Sequence, residues 1–122
     1  MDRRQATGRE AEDRAAAALA RAGLRIVARN VRLRGGEIDL VCRDGDVWVF
    51  VEVKARRAGW DGSPAAAVSW LKQRRLARLA QGYLKWRGLR DVRCRFDVVE
   101  VTLDGDRSAL RHLRGAFDAP AG

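Results

Sequence analysis

The segment from Gly36 to Lys54, GEIDLVCRDGDVWVFVEVK, constrains the fold most, because its two halves alternate with a period of two. In the second half every other residue is a valine, from Val47 to Val53. In the first half every other residue belongs to the apolar set Ile38, Leu40 and Cys42. A period of two is typical of β-strands. The Asp44-Gly45-Asp46 sequence between the halves is typical of a tight turn. The segment therefore predicts an antiparallel hairpin.

The predicted hairpin gathers charged side chains on one face. If its two apolar sets share a face, the other face carries Trp48 and Phe50 together with charged residues, namely Glu37, Asp39, Glu52 and Lys54. With Gly45 and Asp46 as the turn residues, Asp39 is opposite Glu52; with Asp44 and Gly45 as the turn residues, Glu37 is. The aromatic neighbours predict that another layer covers this face. Covered charges are costly unless they are paired or bind a metal, so the hairpin predicts a site.

The bulk properties fit a small single domain, residues 1–122 with a core at about 8–103. The hydrophobic fraction is 47%, and no apolar run approaches the roughly 20 residues of a membrane span. The first residues, MDRRQATGRE, lack the apolar stretch of a signal peptide. We therefore expect a cytoplasmic protein that does not associate with membranes.

The net charge predicts a polyanionic partner. The chain carries +9 at pH 7 and has a pI near 11.1, which is typical of proteins that bind nucleic acid, here most simply DNA. Only Lys54, Lys72 and Lys85 are lysines among the 25 basic residues. Arginine and alanine richness also follows from genomic base composition, so the arginine count alone does not establish such a partner.

Two helices are predicted. The first runs from Arg9 to Ala22 and ends at Gly23. On it Glu12 lies nearly in line with Leu19, either as a surface residue or as a buried acid with a function. The second runs from Ser69 to Arg87 and ends at Gly88, with the apolar stripe Leu76, Leu79, Ala80, Tyr83 and Trp86 and the basic flank Arg74, Arg75, Arg78 and Lys85. A solvated helix face has the same pattern as this flank.

The remaining segments complete an α-β-β-β-α-β order with a short C-terminal element. Strands are predicted at 24–33 and 92–103, and a short strand or helix at 109–117. After Lys54 we expect a basic loop with Arg56 and Arg57, then a helix N-cap at Ser63-Pro64 that opens a short alanine-rich turn. A hairpin followed by a helical crossover predicts an α/β fold with a mixed sheet and helices on its faces.

The acids and the lysine of the hairpin suit metal chemistry. Asp39 and Glu52 are expected on adjacent strands with their carboxylates within about 6 Å, and such oxygen ligands suit Mg²⁺ or Mn²⁺. A bound ion lowers the pKa of its water and neutralises charge on a phosphodiester. Lys54 could orient that water or stabilise the transition state, and the Val53 carbonyl could add a ligand. The competing interpretation is a structural salt-bridge cluster. His112, the sole histidine, lies outside these groups and is expected to be a surface or tail residue.

The same residues resemble a known superfamily. The D…E-x-K hairpin is similar to the core of the PD-(D/E)xK restriction-endonuclease-like nucleases, and the closer resemblance is to the YraN-type family of small bacterial proteins, related to archaeal Holliday junction resolvases. The matching segments are GREAEDRAAAALARAGLRIVARNVR, GGEIDLV, VFVEVKAR, residues 67–76, residues 80–84 and RFDVVEV. Ile38 stands where the superfamily pattern has proline, a residue that resolvase-like members also lack.

The resemblance implies a restriction-endonuclease-like three-layer α/β/α core. It matches Glu12 to a helix-1 glutamate, Asp39 to the hairpin aspartate, and Glu52 and Lys54 to the E-x-K pair. These four would be catalytic, with Glu12, Asp39, Glu52 and the Val53 carbonyl holding the metal. By analogy with small resolvases, it also implies a homodimer.

The expected function is that of a metal-dependent endonuclease acting on DNA that is branched or otherwise structured. Five basic residues are expected to form one phosphate track beside the acids: Arg56, Arg57, Lys72, Arg75 and Arg78. One alternative is a module that binds nucleic acid without cutting it. Another is an interaction protein whose acids form an ion-pair network with arginines.

Overall fold

The structure is a computed structural model that describes residues 3–57 and 69–118. Its elements, in chain order, are α1 (Arg3–Arg21), β1 (Arg25–Leu33), β2 (Gly36–Asp44), β3 (Val47–Arg57), α2 (Trp70–Trp86), β4 (Cys94–Asp104) and β5 (Arg107–Phe117). The strands form one sheet in the order β1-β2-β3-β4-β5. Strands β3 and β4 are parallel and the other neighbours are antiparallel. The predicted mixed sheet with a helical crossover is confirmed.

The two helices cover opposite faces of the sheet. Ala11, Ala15 and Leu19 of α1 pack into one core with alternate residues of the central strands, such as Val49 and Val51. The other core joins α2 to the intervening residues, with the side chains Ile38, Val41, Trp48, Phe50, Leu76, Leu79, Tyr83 and Phe96. Because successive strand residues point to opposite faces, the continuous apolar run of β3 supplies both cores.

Both helices end as the sequence predicts. The N–H of Leu24 donates to the carbonyl of Leu19 and that of Gly23 to the carbonyl of Ala20, which is a Schellman motif, and Gly23 has a φ of +98°. The end of α2 repeats this arrangement around Gly88. The start of α1 at Arg3 lies before the predicted Arg9, since the segment RRQATG contains no proline and only one glycine.

The hairpin register settles which acids face each other. Pairing runs from Asp44↔Val47 to Leu40↔Val51, so the turn consists of Gly45 and Asp46. Gly45 has a φ of +63°, which glycine adopts without strain. The next rung of this register places Asp39 opposite Glu52, the first of the two predicted alternatives.

One predicted face assignment is wrong. Ile38 does not share a face with Leu40 and Cys42: it packs in the α2-side core, whereas they pack in the α1-side core. The alternation is broken between positions 38 and 40. In the adjacent strand, Asn30 has a left-handed φ of +53° at the same level. A backbone residue in that conformation interrupts the pleat.

Two further predictions need correction. Arg56 and Arg57 belong to β3 rather than to a loop, because β3 continues its pairing with β4 to Arg57↔Leu103. The C-terminal element is a full strand of 11 residues, β5, and not a short one. The predicted N-cap at Ser63-Pro64 and its alanine-rich turn lie outside the described residues. Neither helix in the described part of the chain combines the length and apolarity needed to cross a membrane.

Candidate active site

Asp39 lies where the pairing of β2 with β3 stops. The last pair of the ladder is Leu40↔Val51, and one residue further the Asp39 Oδ2 atom accepts a hydrogen bond of 2.8 Å from the backbone N–H of Val53. Burial, followed by repulsion from Glu52, raises the pKa of Asp39 to about 7. The smaller contributions of Glu12 and Glu37 act in the same direction. Asp39 is therefore an acid whose ionisation the fold opposes.

Glu52 meets Asp39 across the hairpin, as the sequence predicts. Burial raises the pKa of Glu52, and the nearby cations Lys72, Lys54 and Arg75 oppose that rise, as does a hydrogen bond with Asp39. A hydrogen bond between two carboxyl groups requires a proton on one of them. The cations favour the ionised form of Glu52, and none of them is a major influence on Asp39.

Glu12 approaches the pair from α1. Burial raises its pKa, attraction to Arg29 lowers it, and a hydrogen bond with the Asn30 side chain also lowers it. Its Oε1 atom is buried and has no hydrogen-bond partner. Glu12 is close enough to raise the pKa of Asp39. Within residues 3–57 and 69–118, however, no three His, Cys, Asp or Glu side chains are grouped closely enough to ligate one ion.

Lys54 follows Glu52 on the same face of β3 and is half-buried. Burial and repulsion from Lys72 lower the pKa of Lys54, while Glu52 and Glu100 raise it. The ammonium group therefore lies among both acids and other cations, and it is a better proton donor than an exposed lysine. This placement agrees with the predicted position of Lys54 beside Glu52.

A small cavity lies between the acids and α2. It is lined by Leu76 and Leu79 and by four charged residues, which are Glu37, Glu52, Lys72 and Arg75. The side chain of Ser69 caps the first turn of α2 by accepting from the N–H of Lys72, which places Lys72 at the helix end. The N-terminal end of a helix carries partial positive charge. The cavity is therefore near three sources of positive charge, which are Lys72, Arg75 and the first turn of α2.

Only some of the residues of the predicted phosphate track lie close to one another in the structure. Lys72 and Arg75 line the cavity, and Arg78 is exposed one turn further along α2. Arg56 is engaged in a half-buried ion pair, with its Nε 2.7 Å from the Glu100 carboxylate. Arg57 is exposed at the end of β3, and strand alternation directs it towards the α1 face.

Two features of the structure were not predicted from the sequence. Asn30 lies opposite Asp39 and near Glu12, and no sequence pattern marks its left-handed φ. His112 lies in the predicted C-terminal element but takes part in a network: it is half-buried, and its Nε2 is 2.7 Å from Oδ2 of Asp97, which is fully buried and also binds Arg95 and the N–H of Gly115. The network joins β4 to β5 on the sheet away from the acids. The sequence did not predict this network for two reasons. Asp97 lies within an apolar strand pattern, and β5 was predicted as only a short C-terminal element.

The residues present fit a hard divalent cation. Asp39 and Glu52 bring two carboxyl groups into contact where the fold opposes their ionisation, and a cation would relieve that repulsion. Mg²⁺ commonly binds through one or two carboxylates and keeps several waters. Glu12 adds a buried oxygen without a partner and is close enough to raise the pKa of Asp39. Since the N–H and C=O of a strand residue point to the same neighbour, the Val53 carbonyl is directed towards Asp39 as well.

Comparison with known proteins gives one family. The sequence model of the uncharacterised protein family UPF0102 matches residues 11–101. A UPF0102 protein of Symbiobacterium thermophilum is 52% identical over 120 residues, which covers 98% of this chain and 100% of that protein. A UPF0102 protein of Anaeromyxobacter dehalogenans is 49% identical over 117 residues, covering 96% of this chain and 87% of that protein. The matched region includes Glu12, Asp39, Glu52 and Lys54.

Proposed function

This chain belongs to the uncharacterised protein family UPF0102, and from its site we propose that it is a metal-dependent endonuclease that acts on DNA. The observation that carries the proposal is the contact between Asp39 and Glu52 beside Lys54. Burial and mutual repulsion raise the pKa of Asp39 to about 7. Two carboxyl groups held close together destabilise the fold by their mutual repulsion. A divalent cation bound between them would offset that repulsion, which explains why the fold keeps both groups there.

In this proposal Asp39 and Glu52 hold Mg²⁺ or Mn²⁺. Glu12 contributes through its unpartnered oxygen, either directly or through a bound water, and the Val53 carbonyl is a further ligand. When bound, the ion supplies a water of lowered pKa and neutralises negative charge on the phosphodiester. The N–H of Val53 orients the Asp39 carboxylate by occupying Oδ2, which leaves Oδ1 for the ion.

Lys54 acts on the phosphodiester in this proposal. It lies on the same strand face as Glu52, and its lowered pKa makes it a competent proton donor. Its ammonium group would stabilise the negative charge that develops on the scissile phosphate. One carboxylate on each hairpin strand, with the lysine two residues after the second, resembles the pattern of restriction-endonuclease-like nucleases and supports the proposal. We propose that the chain shares this three-layer fold and its chemistry.

The DNA backbone would approach along α2. Lys72 and Arg75 face the acids across the cavity, and Arg78 extends their line away from it. These three are proposed to contact phosphates, which position a duplex without reading its sequence. Arg56 would act mainly by fixing the end of β3 through Glu100, because its guanidinium is already paired. Arg57 points towards the α1 side of the sheet, so it would contact only a DNA strand that passes around to that side.

A second candidate is a module that binds nucleic acid without cutting it. The net charge of +9 favours it as much as it favours a nuclease. The acids do not, because carboxylates that face phosphates repel them unless a cation lies between. Binding that is stronger in EDTA than in Mg²⁺ would support this candidate.

The proposal is tested by cleavage of labelled duplex, single-stranded, flap and four-way-junction DNA in Mg²⁺, Mn²⁺ or EDTA. We expect cleavage of at least one substrate with either ion and none in EDTA. Branched substrates are expected to be cut in preference to plain duplex. Asp39→Asn and Glu52→Gln should abolish cleavage, whereas Asp46→Asn, a change at the hairpin turn, should not. Cleavage in EDTA, or equal cleavage by Asp39→Asn, would contradict the proposal.

A further inference from the structure

Asn30 has an unusual backbone for a residue inside a strand. Its φ is +53°, and among the residues described only one other non-glycine residue, Asp91, has a positive φ. Asparagine tolerates the left-handed region better than most residues, but the conformation still interrupts a strand. Asn30 lies three residues before the end of β1, away from the turn that follows. Strain placed inside a regular element often supports a functional group.

The interruption coincides with Asp39. The pairs Arg29↔Leu40 and Val31↔Ile38 flank it, so Asn30 is opposite Asp39 in the ladder of β1 with β2. Leu40 packs in the α1-side core and Ile38 in the α2-side core, although regular alternation would give them one face. Paired residues share a face, so a break in the pleat of β1 is matched by a break in β2. The conformation of Asn30 and the departure of β2 from regular alternation are thus one feature.

This break gives Asp39 its position. On a regular strand its side chain would stand perpendicular to the sheet. Instead its Oδ2 accepts from the N–H of Val53 on the neighbouring strand, 2.8 Å away. The carboxyl group therefore reaches along the sheet towards β3, into the place where the ladder of β2 with β3 has ended. There it meets Glu52.

The side chain of Asn30 lies near a second acid. Its amide is close enough to the carboxylate of Glu12 on α1 to lower the pKa of Glu12, and the Glu12 Oε1 atom is buried without a hydrogen-bond partner. Asn30 thus lies beside two of the three acids. Its backbone is at the level of Asp39, and its amide is near Glu12.

We propose that Asn30 is a positioning residue for the acid site: its left-handed backbone turns Asp39 towards Val53 and Glu52, and its amide holds Glu12 towards Asp39. The effect on metal binding rests on the function proposed above. The effect on the Asp39–Val53 hydrogen bond does not depend on it. The two contributions are separable by substitution, because glycine keeps the left-handed backbone without the amide, whereas alanine disfavours the backbone and removes the amide.

The test compares Asn30→Ala and Asn30→Gly with wild type in two measurements. The first is hydrogen exchange of the Val53 amide in the metal-free protein, relative to the amide of Val99, which is paired with Val53 in β4. The second is the Kd for Mn²⁺ by calorimetry. Asp91→Ala is the matched control, since it removes the other left-handed non-glycine residue, which lies before β4.

In Asn30→Ala we expect Val53 to exchange about tenfold faster relative to Val99, and Mn²⁺ to bind about tenfold or more weakly, as is usual when a support of a metal ligand is removed. Asn30→Gly should keep the Val53 protection and weaken Mn²⁺ binding by less. Asp91→Ala should change neither ratio. If Asn30→Ala does not fold, Asn30→Gly decides, since unchanged Mn²⁺ affinity in that variant would contradict the role of the amide.

The outcomes separate the two proposals. If wild type does not bind Mn²⁺, the proposed function fails and the exchange ratio alone decides whether Asn30 positions Asp39. An Asn30→Ala variant whose Val53 and Val99 amides accelerate equally would show a purely structural role and overturn the inference. So would a variant with unchanged exchange.

Discussion

The backbone N–H of Val53 donates to Oδ2 of Asp39 at 2.8 Å, across the point where β2 and β3 cease to pair. A side chain here takes the place of a backbone acceptor, so the hydrogen bond closes the end of the ladder. It also fixes one oxygen of a carboxyl group that is already in contact with Glu52. The hydrogen bonding of the sheet thus fixes the position of the Asp39 side chain. Burial and repulsion from Glu52 disfavour its ionised form.

Replacing Asp39 with asparagine should stabilise the metal-free protein. The pKa of Asp39 is raised from 3.8 to about 7, so the native state holds a proton that the unfolded chain loses near pH 4. Wild-type stability therefore falls as pH rises from about 4 to about 7. Asp39→Asn has no carboxyl group to ionise at this position. Its free energy of unfolding should therefore exceed that of wild type by about 1–3 kcal/mol at pH 8 and should be about equal to it at pH 4. Urea denaturation in EDTA measures both.

The control for that substitution is Asp118→Asn, which removes an exposed carboxylate just after β5. It should leave the free energy of unfolding within about 0.5 kcal/mol of wild type at either pH. A destabilised Asp39→Asn at pH 8 would mean that the carboxylate is ionised and satisfied in the apo protein.

Replacing Lys54 with alanine should separate binding from chemistry. Mn²⁺ affinity should stay within a few fold of wild type, because the carboxylates remain and one nearby positive charge is lost. DNA cleavage should fall by about a hundredfold or more, the usual cost of removing a group that stabilises the transition state. Lys85→Ala, at an exposed lysine in the last turn of α2, is the control and should cut normally. Normal cleavage by Lys54→Ala would remove the lysine from the mechanism.

The basic residues of α2 should set the salt dependence of DNA binding. Each phosphate contact adds about one unit to the slope of log K against log salt. Arg75→Ala with Arg78→Ala should therefore reduce the slope by roughly two and weaken all sequences alike. Fluorescence anisotropy measures this in an Asp39→Asn background, which we expect not to cut the DNA during the titration. A matched pair, Arg21→Ala with Arg25→Ala, lies at the opposite end of the hairpin and should leave the slope unchanged; an equal effect would assign binding to net charge alone.

Gly36 should be required for the approach of α2 to the hairpin. A Cβ at this position would lie 3.3 Å from Cδ1 of Leu79, and the φ of +153° disfavours other residues. Gly36→Ala should cost about 1–3 kcal/mol of stability through overpacking and strain. Gly82→Ala, in the exposed part of α2 with open space around it, should instead stabilise by up to about 1 kcal/mol. Thermal denaturation distinguishes them, and a neutral Gly36→Ala would mean that α2 shifts freely.

The sequence predicts the elements that local patterns determine. The two glycine helix ends and the hairpin follow from propensities and period-two alternation, and all three are present in the structure. The contact between Asp39 and Glu52 was predictable once the turn was known. What the alternation could not predict is the break at Ile38, since it depends on the backbone of Asn30 in another strand.

The length of β5 and the role of His112 were missed for a related reason. Nearly all of β5 is exposed or half-exposed, so no apolar alternation marks it. It is held as a strand by its pairing with β4 and by Asp97, which is fully buried and binds His112 and Arg95. Such a network joins residues far apart in sequence and leaves no local pattern. The same limit applies to Arg56, whose ion pair with Glu100 crosses from β3 to β4.

The most direct test of the metal site is calorimetric titration of Mn²⁺ into the metal-free protein at pH 8, where Asp39 has lost its proton. Wild type should bind one ion per chain with a Kd between about 1 μM and 1 mM, which corresponds to about 4–8 kcal/mol of binding free energy. Asp39→Asn should release no binding heat while it remains folded. Equal Mn²⁺ binding by wild type and Asp39→Asn would contradict the account, because the ion would then lie away from the contact between Asp39 and Glu52.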